Sequence, residues 1–158
     1  MSATGKSYVV DDFTTVYSTP VHAPGTIVES EGQSYRFVKN SDTTAGTANY
    51  PAVFVGTDPT LNDWEIAADL SDGILNVCAG VIMAAMATGE YGWVKRKGVH
   101  LTATVIGTIT AAGGALRCGD TDGQWAAAAG ADIERIDGVC LEVVTTSGTG
   151  VNIYVDAL

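Results

Sequence analysis

The sequence predicts a mainly β protein, a small antiparallel β-barrel or sandwich with an extended N-terminal arm and little helix. First, its 158 residues include 19 Thr, 18 Val and 9 Ile, against 26 good helix formers other than Ala. Branching at Cβ restricts rotamers in a helix but packs well on a sheet. Second, Gly-containing turns separate short β-like runs along the chain. Third, the length suits one domain of ordinary size.

The N-terminal segment, residues 1–24, is predicted to be an extended arm ahead of a β-rich domain that spans 25–158. It contains several Ser, Thr and Asp around two short β-like pieces, and it is interrupted by Pro20 and Pro24. Such a segment has too few apolar neighbours to fold alone. We therefore expect it to be an arm or an edge strand.

The first half of the domain contains the clearest local pattern, a hairpin. Strands over 25–29 and 34–39 are joined by a four-residue turn that contains Gly32. A polar loop then precedes a short apolar strand over 51–55. In 64–70 apolar residues occupy every second position, which favours a strand over a helix.

The second half contains a weak internal repeat. The stretch from Gly80 to Val94 resembles the stretch from Gly138 to Ile153, each with an apolar strand, a Gly-containing turn and a second strand. Two hairpins of one kind suit a barrel or sandwich. Between them the sequence predicts strands over 99–109 and 115–118, turns over 111–114 and 120–123, and a run over 126–129 that is too short to hold a helix unaided.

Charge and cysteine content exclude several classes of protein. A net charge of -10 makes general binding of nucleic acid unfavourable, because phosphates carry the same sign. There is no run of about 18 apolar residues and no signal core in 1–20, which predicts neither a membrane span nor export and places folding in the cytoplasm. The three cysteines form no CxxC pair and are expected to be small buried hydrophobes in a reducing compartment.

No enzyme motif and no spaced set of metal ligands occurs, so the sequence predicts no catalytic residues, no metal and no cofactor. Acidic pairs such as Asp11 and Asp12 lie in turn-like settings, where Asp commonly bonds the local backbone. His100 has the parity of Thr102 and Thr104, opposite Val99, and is expected to be exposed.

The apolar side chains are small. Twenty-one are Ala and only 12 are aromatic, so the core is thin. Part of the apolar surface is therefore expected to be closed by other subunits or by a larger partner. One basic run, Lys95 to Lys97, follows Trp93; it fits either a solvated strand end or a surface that docks on an acidic protein.

The run GEYGWVKRKG over 89–98, with Ala79-Gly80-Val81 before it and the AGGAL turn over 112–116 and Asp137-Gly138-Val139 after it, resembles small tailed-phage capsid decoration (cement) proteins. The hairpin of 25–40 also resembles them, so the likeness covers about 25–158. It implies a non-enzymatic virion protein, made in the host cytoplasm, that binds the outer surface of the expanded capsid. Its implied partners are the major capsid protein, whose capsomers it bridges, and two further copies of itself in a homotrimer.

We hypothesise two groups of contacts with the capsid or other subunits. One is Tyr8, Phe13 and Tyr17, aromatic anchors in the polar, Pro-interrupted arm that the likeness does not cover; the other, within the matched run, is Tyr91, Trp93, Lys95, Arg96 and Lys97. The arm is expected to gain order when edge strands pair with strands of the coat protein. A carbohydrate-binding or host-adhesion module is the alternative, with Trp64, Trp93 or Trp125 as stacking platforms. A small hydrolase is the third possibility.

Overall fold

The computed structural model describes residues 12–55, 64–70, 77–119, 123–128, 136–145 and 147–157, and in these ranges it consists of β-strands, turns and loops without helix. The predicted mainly β fold is confirmed. No helix in the described ranges could cross a membrane. The ten strands are β1 (Ile27–Ser30), β2 (Gln33–Asn40), β3 (Pro51–Phe54), β4 (Glu65–Ala67), β5 (Cys78–Ile82), β6 (Tyr91–Ile106), β7 (Ala115–Cys118), β8 (Trp125–Ala127), β9 (Gly138–Cys140) and β10 (Gly148–Asp156).

The strands form one sheet that closes on itself twice. Its order is β1-β2-β4-β3-β5-β6-β10-β9-β7-β8, and the additional pairings β2 with β6 and β6 with β8 complete two rings. We call β2 to β5 with the start of β6 the first unit, and the rest of β6 with β7 to β10 the second unit. Each unit is a ring of five strands, and β6 belongs to both.

The two units have the same topology. In each, the first strand pairs in parallel with the third, β2 with β4 and β6 with β8, while the other pairings are antiparallel. These parallel pairs depart from the fully antiparallel barrel that the sequence predicts. The parallel partners are distant in sequence, so no local hairpin pattern indicates them.

The predicted internal repeat is confirmed by the strand register. Val81 pairs with Lys95 in the first unit, and Val139 pairs with Tyr154 in the second. A Cβ on the residue before either valine, Gly80 or Gly138, would overlap the carbonyl oxygen of the strand opposite. The recurring glycines therefore permit two backbones to approach closely.

The hairpin of β1 and β2 is also confirmed. Its turn is tighter than predicted, because Ser30 pairs with Gln33 and only Glu31 and Gly32 connect the strands. Both have positive φ, 52° and 74°, as in the two-residue turns that suit the twist of a hairpin. The segment 99–109, predicted as a separate strand, is mostly the second part of the 16-residue β6.

Three groups of buried side chains hold the units together. One fills the first unit and includes Phe54 and Ile66. The largest fills the second unit around Trp125 and extends to residues of the first, such as Val53, so the units pack against each other. The third is aromatic and lies on the outside of β2 and β6. All three cysteines are buried, as the sequence predicts.

Candidate interaction surfaces

His100 is buried, and the prediction that it is exposed was wrong. Val151 of β10 pairs with Ala103 of β6, and Ile153 pairs with His100. These two pairs are two residues apart in β10 but three residues apart in β6, so β6 contains one extra residue. Such a bulge reverses the alternation of faces along a strand. His100 is therefore 5% exposed, whereas Leu101 is 63% exposed.

The surroundings of His100 keep its ring neutral. Burial, and secondarily the positive charge of Lys95, lowers its pKa to about 4. Its Nε2 lies 3.3 Å from the hydroxyl of Thr102. An imidazole that stays uncharged at neutral pH and is shielded from solvent fits a structural role in β6.

The outer side of the first unit carries an aromatic surface, which we call the first-unit face: Tyr35, Phe37, Met83 and Trp93. Residues 12–24 lie across it. The Phe13 ring stacks on Tyr35 with centroids 3.7 Å apart and meets Trp93 edge-on at 5.5 Å. His22 lies 5.3 Å from the Phe37 ring and 5.2 Å from that of Trp93. The end of the predicted arm thus covers a face of its own chain.

Backbone hydrogen bonds fix this cover in place. The Tyr17 N–H donates to the Tyr91 carbonyl, and the Tyr91 N–H donates to the Tyr17 carbonyl, both at 2.9 Å. The structure therefore brings together four of the predicted contact residues, Phe13, Tyr17, Tyr91 and Trp93. Trp93 is 1% exposed and is packed within the chain. Tyr8 lies outside the described residues, and contact of these residues with a capsid stays a prediction.

The basic run is divided among three environments. Lys95 is buried, its Nζ donates to the Val99 carbonyl at 2.8 Å, and burial lowers its pKa. Arg96 is partly buried and donates from Nη1 to the Ser34 hydroxyl at 3.4 Å. Lys97 is exposed, with Nζ 3.6 Å from an Asp156 carboxylate oxygen. Lys97 is the only one of the three whose side chain is exposed, so the run does not form a continuous basic patch.

The three tryptophans pack against other side chains of the same chain. Trp93 and Trp125 are buried. Trp64 packs edge-on against Phe54 at 5.7 Å, and the guanidinium of Arg36 lies 4.3 Å from the Trp64 ring. A stacking platform for sugars needs an exposed ring, and these placements do not favour the carbohydrate-binding alternative.

Arg36 was missed by sequence reasoning, because an arginine in a strand of alternating residues gives no sign of burial. It is 5% exposed, and burial, with the nearby charge of Arg96, lowers its pKa to about 10. Arg36 pairs with Val94, and His100 pairs with Ile153. Since Val94 and Ile153 are equivalent in the repeat, Arg36 and His100 occupy the same position in the two units.

The second unit carries an exposed apolar surface at the position equivalent to the first-unit face. Val99 is opposite Tyr154, which is opposite Val139, so the three side chains share one side of β6, β10 and β9. Leu101 follows Val99 by two residues in β6, and Leu141 follows Val139 by two residues, just after the end of β9. Val99, Leu101 and Leu141 are all exposed. We call these five residues the second-unit face. They are scattered along the sequence, so no local sequence pattern predicted this surface.

Neither a protein-family model nor a curated protein matches the sequence. Among solved structures, the fold is similar to the base of the head fiber, the N-terminal part of gp8.5, in bacteriophage phi29. The TM-score is 0.50 at 14% sequence identity, and the match covers 77% of this chain and 92% of that chain. At this identity the likeness shows a shared fold.

Proposed function

We propose that this chain is a structural protein of a bacteriophage virion that binds the outer surface of the expanded head. The observation that carries the proposal is the fold shared with the phi29 head fiber base over 92% of that chain. The sequence motifs around 89–98 resemble capsid decoration proteins on separate grounds. Both comparisons lead to proteins of the phage head.

The second-unit face is the proposed contact with other subunits, either copies of this chain in a homotrimer or the major capsid protein. Large exposed apolar patches are unusual on a monomer and mark sites of association. Its equivalent in the first unit is already covered by the segment 12–24, which carries Phe13 and Tyr17. An interface at an apolar face also suits a chain of net charge -10, because copies repel each other elsewhere.

The proposed mechanism is stabilisation by binding, without catalysis. A protein that binds only the expanded lattice shifts the equilibrium toward it by about 2.7 kcal/mol per site when its concentration is a hundred times the dissociation constant. Repeated over many sites that bridge capsomers, this resists the pressure of packaged DNA. The acidic surface has no attraction for that DNA.

Co-sedimentation with empty expanded heads tests the proposal. The wild-type chain is expected to migrate with the heads, and Leu101→Glu, which places a charge on the second-unit face, is expected to lower occupancy at least about tenfold. Ile27→Glu is the matched control, because Ile27 is exposed but lies on β1. A wild-type chain that stays unbound contradicts head binding. Equal losses in both variants contradict the choice of face.

Sedimentation of the chain alone tests the homotrimer separately. We expect trimers at micromolar concentration and their dissociation by Leu101→Glu. A compact wild-type monomer at that concentration would contradict self-association and leave the capsid protein as the partner of the second-unit face.

A further inference from the structure

Two thiols and a carboxylate converge where the two units meet. The Sγ atoms of Cys78 and Cys118 and a carboxylate oxygen of Asp137 all lie within 4.8 Å of one another. Cys78 begins β5 of the first unit, Cys118 ends β7 of the second, and Asp137 immediately precedes β9. The sequence predicted no metal site because these residues have no regular spacing; the fold alone brings them together.

The backbone holds the three residues in this arrangement. The Cys118 N–H donates to Asp137 Oδ2 at 3.0 Å, and the Asp137 N–H donates to the Leu116 carbonyl at 2.9 Å. Cys78 pairs with Val53 in the ladder between β3 and β5. Because the positions are fixed by sheet hydrogen bonds, the ligand atoms need little reorganisation to bind an ion.

We propose that Cys78, Cys118 and Asp137 form a binding site for a soft divalent metal ion, Zn²⁺ in the first instance. Zinc binds thiolate sulfur at about 2.3 Å and carboxylate oxygen at about 2.0–2.2 Å, which sets the ligand atoms of a tetrahedral site roughly 3.5–3.8 Å apart. With ligand atoms up to 4.8 Å apart, the cluster needs a contraction of about 1.3 Å at most to reach that geometry.

The chemistry of the ligands selects the metal. Two thiolates favour zinc over magnesium or calcium, which take oxygen ligands. Both thiols lose their protons on binding, so the affinity is expected to fall as the pH is lowered. The ion would link β5 to β7 and to the start of β9, and would thus connect the two units beyond their apolar contact. Its binding would raise stability by mass action.

Titration of the reduced, chelator-treated full chain with Zn²⁺ and Co²⁺ tests the site. We expect one equivalent to bind, the melting temperature to rise, and Co²⁺ to give a thiolate charge-transfer absorption. Cys78→Ser and Cys118→Ser are expected to weaken binding by roughly 100-fold or more. Cys140→Ser is the matched control: Cys140 is buried in the same core, but its Sγ donates to the Glu142 carbonyl at 3.1 Å and lies outside the cluster.

The wild-type chain also provides a test that needs no variant. Relative to the metal-free chain, bound Zn²⁺ should slow the alkylation of two of the three thiols, and peptide mapping should identify them as Cys78 and Cys118, with the rate at the buried Cys140 changed less. The site is overturned if the wild type gives no charge-transfer absorption, if Cys140→Ser loses binding as much as the other two variants, or if the native protein contains a disulfide between Cys78 and Cys118. Asp137→Asn, which keeps an oxygen for the Cys118 N–H, should retain the fold and bind zinc more weakly.

Discussion

The two units share one topology but differ in what lies on the same outer face. In the first unit this face is aromatic, with Phe37 buried beneath residues 12–24. In the second it consists of Tyr154 and four aliphatic side chains, with Leu101 exposed, and no segment among the described residues plays the part of Phe13 and Tyr17. The difference shows that the first unit is completed by its own chain, and it motivates the proposal that the face of the second unit contacts another subunit.

The interiors differ as well. The buried cation Arg36 of the first unit is replaced by the neutral imidazole of His100 at the equivalent position. Arg36 has two aromatic rings beside its guanidinium, those of Trp64 and Phe54. The first unit thus accommodates a buried charge beside aromatic side chains, whereas the second unit has the uncharged His100 at the equivalent position.

The largest expected effect separates the two faces directly. Phe37→Ala should lower the free energy of unfolding by about 3–5 kcal/mol, because a fully buried aromatic ring leaves a cavity. Leu101 is the counterpart of Phe37 in the second unit, because each follows directly after the equivalent residues His100 and Arg36. Leu101→Ala should change the free energy of unfolding by less than about 0.5 kcal/mol. Urea denaturation of both variants, at a concentration low enough to keep the chain monomeric, measures the contrast. Similar losses would show that the second-unit face is already packed.

The next effect depends on pH and belongs to the second unit. Because the pKa of His100 is lowered to about 4 in the folded chain, the unfolded state takes up a proton near its pKa of about 6.5, well before the folded state does. Stability should therefore fall by up to about 3 kcal/mol between pH 7 and pH 4. Arg36, with a pKa of about 10, stays charged over this range.

His100→Gln separates the pH-dependent contribution of His100 to stability from that of the carboxylates. The wild type and the variant contain the same Asp and Glu residues, so the contribution of these residues cancels when the two proteins are compared. We expect the difference in unfolding free energy between wild type and variant to change by about 3 kcal/mol over this range, measured by urea denaturation at several pH values. Parallel curves would show that His100 titrates normally and that its burial is not maintained in solution.

Removal of a single ring from the cover of the first unit should have a smaller effect. Phe13→Ala abolishes the stacking on Tyr35 at 3.7 Å and should cost about 1–2 kcal/mol, because the side chain is only partly buried. The near-UV circular dichroism of the aromatic cluster should decrease as well. Phe13→Leu, which keeps an apolar side chain, should restore part of the stability. An unchanged spectrum in Phe13→Ala would show that the segment does not cover this face.

The smallest effect concerns the parallel pairings. Lys39 Nζ and Glu65 Oε1 form an ion pair at 2.6 Å between β2 and β4. The equivalent positions between β6 and β8 are the uncharged Thr104 and Gln124. Glu65→Gln should cost about 0.5 kcal/mol, and the difference should shrink as salt is added, because the pair is only partly buried. Thermal unfolding at low and high salt measures it, and a salt-independent difference would exclude an electrostatic origin.

Local features of the fold could be predicted from the sequence. The hairpin over 25–40 has a turn glycine between alternating strands, and the repeat of 80–94 and 138–153 preserves the glycines that the register requires. Closure of the two rings could not be predicted, because β2 pairs with β4 and β6 with β8 across long stretches of chain.

The candidate site was harder to predict for two physical reasons. One extra residue near Leu101 reversed the parity of β6, so His100 moved to the interior and an apolar face moved to the surface. The other reason is that residues distant in sequence meet only in the folded chain: Phe13 with Trp93, and Cys78 with Cys118. Residue types at fixed local spacing carry no information about such encounters.

The shared strand β6 has a mechanical consequence for the proposed role on the phage head. Its 16 residues span roughly 50 Å when extended, and they run through both rings without interruption. A pull applied to one ring therefore passes to the other along covalent bonds. Separating the two rings would require many hydrogen bonds of β6 to break at the same time under shear. The two rings therefore resist tension together.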